Sequence, residues 1–434
     1  MQVIPHITDE IKRRIQLLAQ RKEYDVIITE IGGTVGDIES LPFIESVRQL
    51  RYQLGARNTA LVHLTLIPYL AASGELKTKP TQHSVKTLLE NGLQPDILVL
   101  RTEHPLSAEL RRKVALFCNV DANAVMESID VPTIYEVPLV MHRQHLDEVV
   151  LSKLDLPSEQ EPDLSSLQAF VDKVKNPKRT IDIALVGKYT ELPDAYKSIC
   201  ESFIQAGAVN DCKVKLHYVN SEKIDASNVG EKLGKMAGIL VAPGFGNRGI
   251  EGKIEAVHFA RTHRIPFLGI CLGMQTAVIE AARNLLGIKD ANSTEFTKNG
   301  TPVVALMTEW EQDGKTQVRS EKTAVGGTMR LGAYPCRLKP GTLASKLYDG
   351  AETIYERHRH RYEVSMPVAR QLEEKGLIIS GISPDGLLPE IVELKDHPFF
   401  IAVQFHPEFK SRAFESHPIF KGFIAAALKQ TTLI

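Results

Sequence analysis

Along both halves of this chain, near-continuous apolar runs of strand length alternate with amphipathic segments of helical period. That alternation restricts the fold more than any other feature. In the first 150 residues, YDVIITEIGG (24–33), TALVHLTLIPY (59–69) and PDILVLRT (95–102) read as buried strands. Between the first two, SLPFIESVRQLRYQLG (40–55) has helical periodicity and ends in a glycine suited to a helix C-terminus. After residue 180 the alternation resumes with TIDIALVGKY (180–189), DAYKSICESFIQAG (194–207), VKLHYVN (214–220), GILVAPGFG (238–246) and IPFLGICLGMQTAVIEAARN (265–284). A further strand signal lies in PFFIAVQFHPEF (398–409). Strands that are apolar throughout, separated by helices, are covered on both faces. The fold class is therefore α/β, with doubly wound, mostly parallel sheets.

At 434 residues the chain is too long for one ordinary core, so at least two domains are expected. The stretch SKLDLPSEQEPDLSSLQAFVDKVKNPKRT (152–180) is polar, carries three prolines and holds one short helix-like run. It reads as a linker between a domain at 1–151 and another at 181–434. The formal net charge is -1, so no global field attracts nucleic acid or anionic lipid, and any nucleotide must be held by a local basic cluster. No apolar run is long enough to span a bilayer, and MQVIPHITDE lacks the charged and apolar regions of a leader. The five cysteines (118, 200, 212, 271 and 336) form no CxxC pair. That pattern favours a reducing cytoplasm over a structural zinc site.

One cysteine stands out by its setting. In IPFLGICLGMQTAVIEAA the apolar run ends at Ile270 and helical spacing begins after Gly273, which places Cys271 at a strand-to-helix corner. Gly269 and Gly273 let strand and helix approach closely, and a helix N-terminus lowers a thiol's pKa while its N–H groups can hold an oxyanion. A useful thiol nucleophile needs a base. Far downstream, AVQFHPEF offers His406 just after a strand, with Glu408 two residues on and Pro407 stiffening the connection. A lone cysteine is more often a small core residue. The joint occurrence of corner, distant histidine and neighbouring glutamate reverses that preference.

GICLGMQ and QFHPE together resemble the class I (triad) glutamine amidotransferases, which hydrolyse glutamine to glutamate and ammonia. The resemblance implies that Cys271 attacks the amide, His406 shuttles the proton and Glu408 orients His406. The family's oxyanion loop corresponds to VAPGFGNRG, where Pro243 stands in place of an expected glycine. Gly244 keeps its N–H beside that of Leu272, whereas Pro243 has none and a fixed φ. Glutamine contacts are implied for Gly244, Leu272, Gly273, Met274, Gln275, Glu295 and Arg361.

The flanking motifs are more specific. NSTEF (292–296), VRSEKTAVGGTMRLGAYPC (318–336) and ERHRHRYEV (356–364) resemble the CTP synthase family, as do EIGGTVGDIESLPF (30–43) and SGELKTKPTQHSVKTLL (73–89). The resemblance covers essentially the whole chain. It implies a partial P-loop-type amidoligase domain followed by a class I glutamine amidotransferase domain. The implied reaction is ATP-dependent amination of UTP to CTP with ammonia from glutamine. KTKPTQ sets Lys77 and Lys79 on one side of an extended segment fixed by Pro80, with Thr78, Thr81 and Gln82 supplying polar groups for a triphosphate. By the family match these residues and Lys113 bind UTP or CTP, Asp37, Ile38 and Glu39 contact the CTP base or ribose, and Glu30 is a magnesium ligand. The resemblance also implies Mg2+, GTP as activator with the loops at 188–194 and 247–249 as its candidate location, and a homotetramer. Nucleic acid and membrane are not expected partners.

Two other motifs are set aside. His358 and His360 share a strand face at metal-like spacing, but the alternating arginines would repel a cation. LVGKYTE (185–191) has Gly-Lys after a strand but no earlier glycine at Walker A spacing. The family's opening strand, its glycine-rich phosphate loop and a second magnesium carboxylate are not found before MQVIPHIT. The expectation is that this chain by itself is limited to glutamine hydrolysis and UTP or CTP binding. Alternatives are a stand-alone glutaminase or γ-glutamyl hydrolase, and a non-catalytic nucleotide-binding partner of a complete synthase.

Overall fold

The structure is a computed structural model and describes residues 2–158, 160–306, 309–312, 315–318 and 329–432. Residues 319–328 of the 318–336 motif therefore lie outside the described residues. The chain divides into two compact units, Met1–Val171 and Asp172–Ile434.

The first unit is built on a three-stranded parallel sheet of β1 (Val62–Leu66), β2 (Ile97–Thr102) and β3 (Val125–Ile129), in that order. The segment at 40–55 forms α1 (Leu41–Leu54). Pro42 sits in its first turn, and Gly55 closes it at φ 85 by donating its N–H to Arg51 O. Helices α2 (Lys79–Glu90) and α3 (Ala108–Cys118) bring Val85, Val114 and Ala115 into a core with Leu98, Leu100 and Ile67. The strand expected at 24–33 is not formed. The segment makes no ladder, and Ile28 is 92% exposed. An apolar extended stretch becomes a strand only when a neighbour takes its backbone hydrogen bonds, and β1, at the sheet edge, pairs with β2 alone. Val62, Leu64 and Leu66 on one face of β1 are exposed as well.

The boundary between the units falls inside α4 (Ser165–Lys175), the helix-like run of the 152–180 segment. The second unit then begins with β4 (Arg179–Gly187), followed by α5 (Lys197–Val209), β5 (Cys212–Asn220), β6 (Gly238–Val241), α6 (Ile250–Thr262), β7 (Phe267–Ile270) and α7 (Leu272–Leu285). Its later strands are β8 (Arg330–Leu338), β9 (Thr353–His360), β10 (Leu377–Ile382), β11 (Pro389–Leu394) and β12 (Phe400–Val403), and α8 (Pro418–Thr432) ends it. These strands form one nine-stranded sheet in the order β9-β8-β10-β11-β12-β7-β6-β4-β5. The stretch from β12 to β5 is parallel and the stretch from β9 to β12 antiparallel. Both faces of the parallel part are covered. Ala184 and Val186 of β4 pack with α6 and α7, while Ile183 and Leu185 pack with α5 and α8. Burial on two faces is why these strands read as unbroken apolar runs.

Candidate active site

Strand β7 ends at Ile270 and α7 begins at Leu272, so Cys271 is the corner residue. It adopts φ 53 and ψ -101, a positive-φ conformation that costs a β-carbon-bearing residue on the order of 1–3 kcal/mol. Its N–H donates to Val403 O at 2.7 Å, and its own carbonyl accepts from Met274 and Gln275 in the first turn of α7. The corner closes only because two neighbours lack side chains. A Cβ on Gly273 would lie 2.3 Å from Val241 O, and one on Gly269 would lie 2.8 Å from Gly273 O. Cys271 is 3% exposed.

The second element is delivered by the adjacent strand. Val403 of β12 pairs with Ile270 of β7 in parallel register, so both chains leave the sheet at the same end. His406 follows, anchored by its N–H to Arg357 O of β9 at 2.7 Å. Its Nδ1 lies 2.7 Å from Glu408 Oε1 within a short 3-10 turn, Pro407–Phe409. Nδ1 is occupied by the carboxylate, and Nε2 is buried with no hydrogen-bond partner of its own. Burial works against an imidazolium here. The negative charge of Cys271, followed by the Glu408 carboxylate, outweighs it and lifts the His406 pKa to about 10. Gln404, a residue sequence reasoning passed over, is fully buried and places its Nε2 3.7 Å from Cys271 Sγ. Its signal was the first letter of QFHPE, two positions before the histidine on an emerging strand.

The loop after β6 forms the third side. Residues Ala242–Gly246 carry the Pro243-Gly244 pair. Gly246 N–H donates to Glu295 Oε1 at 2.6 Å, and Lys188 Nζ donates to Phe245 O. Burial raises the Glu295 carboxyl pKa, partly offset by the Gly246 N–H and by the nearby Lys188 and Arg361. A cavity of about 280 Å³ opens between this loop and α5, and Cys271, His406, Glu408, Gly244 and Arg359 are among its lining residues.

The glutamine contacts expected from the sequence are placed unevenly. Gly244 reaches the cavity wall. Leu272, Gly273 and Met274 are buried in the first turn of α7, where Leu272 and Met274 join the core. Gln275 does not face open space: its Nε2 donates to Tyr362 O at 3.1 Å and to Gln404 Oε1 at 3.3 Å. Glu295 accepts from the loop at Gly246, and Arg361 acts on it electrostatically. His358 and His360 are buried on the inner face of β9 and hydrogen-bond each other at 2.9 Å. They belong to a network in which Arg330 Nη2 meets Glu390 at 2.7 Å and Arg330 Nη1 meets Glu363 at 3.3 Å. Among the described residues no group of three or more His, Cys, Asp or Glu could hold a metal ion.

In the first unit the predicted nucleotide residues require a correction. KTKPTQ is not an extended cradle. Helix α2 begins at Lys79 with Pro80 in its first turn, because proline's fixed φ suits a helix start and its missing N–H costs nothing there. Thr81 is buried and bonded to Leu66 O at 3.1 Å and Thr65 Oγ1 at 3.0 Å, so it braces the sheet. Thr78 is buried too and accepts from Gln82 Nε2 at 3.1 Å. Lys77 pairs with Glu75 at 2.5 Å. Lys79 and Lys113 are exposed, Asp37, Ile38 and Glu39 are exposed around a short 3-10 turn, and Glu30 is exposed in the segment without strand pairing.

A thiol at a strained corner, an imidazole held by a carboxylate and a glycine loop beside them are the parts that acyl transfer requires. Residues 191–426 match the family described as "Glutamine amidotransferase class-I", the class of the C-terminal unit. This unit resembles the glutaminase domain of Trypanosoma brucei CTPS with bound acivicin, at 38% identity and a TM-score of 0.52 over 57% of this chain and 94% of that one. Residues 1–156 match "CTP synthase N-terminus". The chain is 60% identical over 428 residues to the CTP synthase of Cytophaga hutchinsonii, covering 98% of this chain and 78% of that one. It is 53% identical over 434 residues to that of Carboxydothermus hydrogenoformans, covering 100% and 79%. The chain belongs to the CTP synthase family, a family of glutamine-hydrolysing ligases. No helix among the described residues is long and apolar enough to cross a membrane.

Proposed function

We propose that Cys271, His406 and Glu408 carry the glutamine-hydrolysing half of the CTP synthase reaction, and that the residues around α2 hold its pyrimidine nucleotide. The observation that supports this best is the pairing of a positive-φ cysteine corner with an imidazole whose Nδ1 is 2.7 Å from Glu408. The Cys271 sulfur, as thiolate, attacks the glutamine side-chain carbonyl carbon. The tetrahedral oxyanion is met by the N–H groups of Gly244 and Leu272. His406, protonated, gives its Nε2 proton to the departing nitrogen, ammonia leaves and a thioester remains. Water then loses a proton to His406 and attacks the thioester, glutamate leaves and the thiolate is restored. Glu408 keeps the imidazole in the tautomer and orientation both steps need.

Glutamine itself is bound through Glu295 toward its ammonium and Arg361 or Arg359 toward its carboxylate. Arg359 is added to the expected set because it lines the cavity. For the nucleotide, the N-terminus of α2 offers backbone N–H groups and a favourable dipole to phosphate, reinforced by Lys77 and Lys79. Lys113, Gln82 and Asp37-Ile38-Glu39 complete the proposed UTP or CTP contacts. A lone solvent-facing carboxylate such as Glu30 suits Mg2+, which retains water and phosphate oxygens in its shell. When bound, the ion would offset phosphate charge. GTP activation and a homotetramer are part of the same reading.

Covalent labelling tests the hydrolytic half. A glutamine-analogue electrophile should label Cys271 in the wild type and fail in His406→Ala, and equal labelling of both would overturn the assignment of the base. For the nucleotide half, UTP should raise the unfolding temperature of the wild type and not of Lys77→Ala. A non-catalytic nucleotide-binding partner would show the second effect without the first.

A further inference from the structure

Among the buried charged side chains to which the glutamine-hydrolysing reading gives no role is Lys253. Lys253 lies on α6, is fully buried, and donates from Nζ to Ala242 O at 2.6 Å. The position of α6 is tightly determined. A Cβ on the preceding Gly252 would fall 1.9 Å from Ser221 O, so the helix is seated directly against that turn. Ala242, the first residue past β6, still bonds to the neighbouring strand, its N–H donating to Val186 O at 3.0 Å. Its carbonyl is buried beyond the end of the ladder, where an unmet acceptor would be costly, and Lys253 meets it.

The consequence lies one residue on. Pro243 has a fixed φ and confines Ala242 to extended backbone. Pinning the Ala242 carbonyl thus fixes the plane of the Ala242–Pro243 peptide. On the other side, the Phe245–Gly246 peptide is held at both ends, its carbonyl by Lys188 and its N–H by Glu295. The Gly244 N–H belongs to the stretch between these anchors, and the Nζ of Lys253 would lie only 3.8 Å from a Cβ at Gly244.

We propose that Lys253 is a positioning residue for glutamine hydrolysis: it anchors the Ala242–Pro243 peptide so that the Gly244 N–H points at the oxyanion formed on the Cys271 adduct. This rests on the reading of Cys271 as the nucleophile. Burial, aided by the charge of Lys188 and opposed by that of Cys271, brings the Lys253 ammonium down to about 7. Ammonium and amine both donate, so the anchor survives titration of the group. A purely electrostatic effect on the thiol would fade with it.

The test separates these two effects with two reagents for Cys271. Iodoacetamide alkylates a thiolate by direct displacement and forms no oxyanion. A chloroketone analogue of glutamine reacts through an adduct whose oxygen occupies the oxyanion position. In Lys253→Met, which keeps the aliphatic stem and removes the donor, kcat for glutamine hydrolysis should fall about 10- to 100-fold with KM within about 3-fold. Chloroketone labelling should slow in parallel, and iodoacetamide labelling should keep its wild-type rate. Unchanged kcat would overturn the proposal, and so would equal slowing of both reagents, which would make Lys253 a modulator of the thiolate. If the Met variant does not fold, Lys253→Gln, with a shorter donor, carries the same measurements with an intermediate loss expected. Failure of both reagents on wild-type Cys271 would instead refute the nucleophile assignment beneath it.

Discussion

Replacing Gly273 by alanine is the sharpest probe of the corner. Its Cβ would sit 2.3 Å from Val241 O and 3.2 Å from Val241 C, atoms of a buried central strand that cannot swing aside. Restoring ordinary contact near 3.4 Å obliges α7 to retreat from β6 by about 1 Å. The retreat carries Cys271 and the Leu272 N–H with it, because both belong to the start of that helix. A displacement of that size is worth about 100-fold in turnover when it falls on a nucleophile and its oxyanion donor. Overpacking of a dense core should also cost about 1–3 kcal/mol, a fall of roughly 2–12 °C in the unfolding temperature of a unit this large. The assay is kcat for glutamine hydrolysis alongside thermal unfolding. Gly230→Ala serves as control, because its Cβ meets nothing closer than Phe259 Cε2 at 3.8 Å. If Gly273→Ala hydrolysed glutamine at the wild-type rate while remaining folded, the corner would not be the site of attack.

Three further outcomes follow from the same unit. With the His406 pKa raised to about 10, kcat for glutamine hydrolysis should not begin its alkaline decline below that pH, and Glu408→Gln should move the decline down by at least about one unit. The stabilisation from this raised pKa is complete below the ordinary histidine value and is lost as pH climbs through about 10. The stability gap between wild type and Glu408→Gln should therefore be widest at pH 6 and close above pH 10, as denaturant titrations would show. Gln404→Leu removes a donor from the Cys271 sulfur and an acceptor from Gln275. It should cost about 1–3 kcal/mol in chemical denaturation and alter the rate at which iodoacetamide reaches Cys271. Arg330→Met leaves Glu363 and Glu390 buried without their cation, a loss of about 3–5 kcal/mol at pH 8. Burial already lifts Glu363 to about 8, so its ionisation opposes folding as pH rises. The variant should regain stability toward pH 5, and a deficit independent of pH would refute the charge argument.

Much of the second unit could be read from the residues, and the reason is its topology. Cys271 and His406 are far apart in sequence, yet β7 and β12 are parallel neighbours in register, so residues just past Ile270 and Val403 must emerge at one edge of the sheet. In open α/β sheets the carboxyl ends of parallel strands are where ligands gather. A strand followed by a glycine-flanked cysteine, and a strand followed by a histidine, are therefore local patterns with a common destination. Glu408 was legible because its link to the histidine is local. Lys253 and Gln404 were not, since their partners, a backbone carbonyl just past a strand and a sulfur at a corner, leave no trace in spacing. The same reasoning explains the two failures in the first unit. An apolar run at 24–33 looks like a strand whether or not a neighbour is there to pair with it. KTKPTQ looks extended to a reader who weighs proline as a breaker, although at the first turn of a helix proline is an initiator. Local sequence specifies what a segment can become, and the sheet decides which possibility is taken. At the site it does so twice, by setting two strand ends side by side and by leaving the Ala242 carbonyl for a lysine to hold.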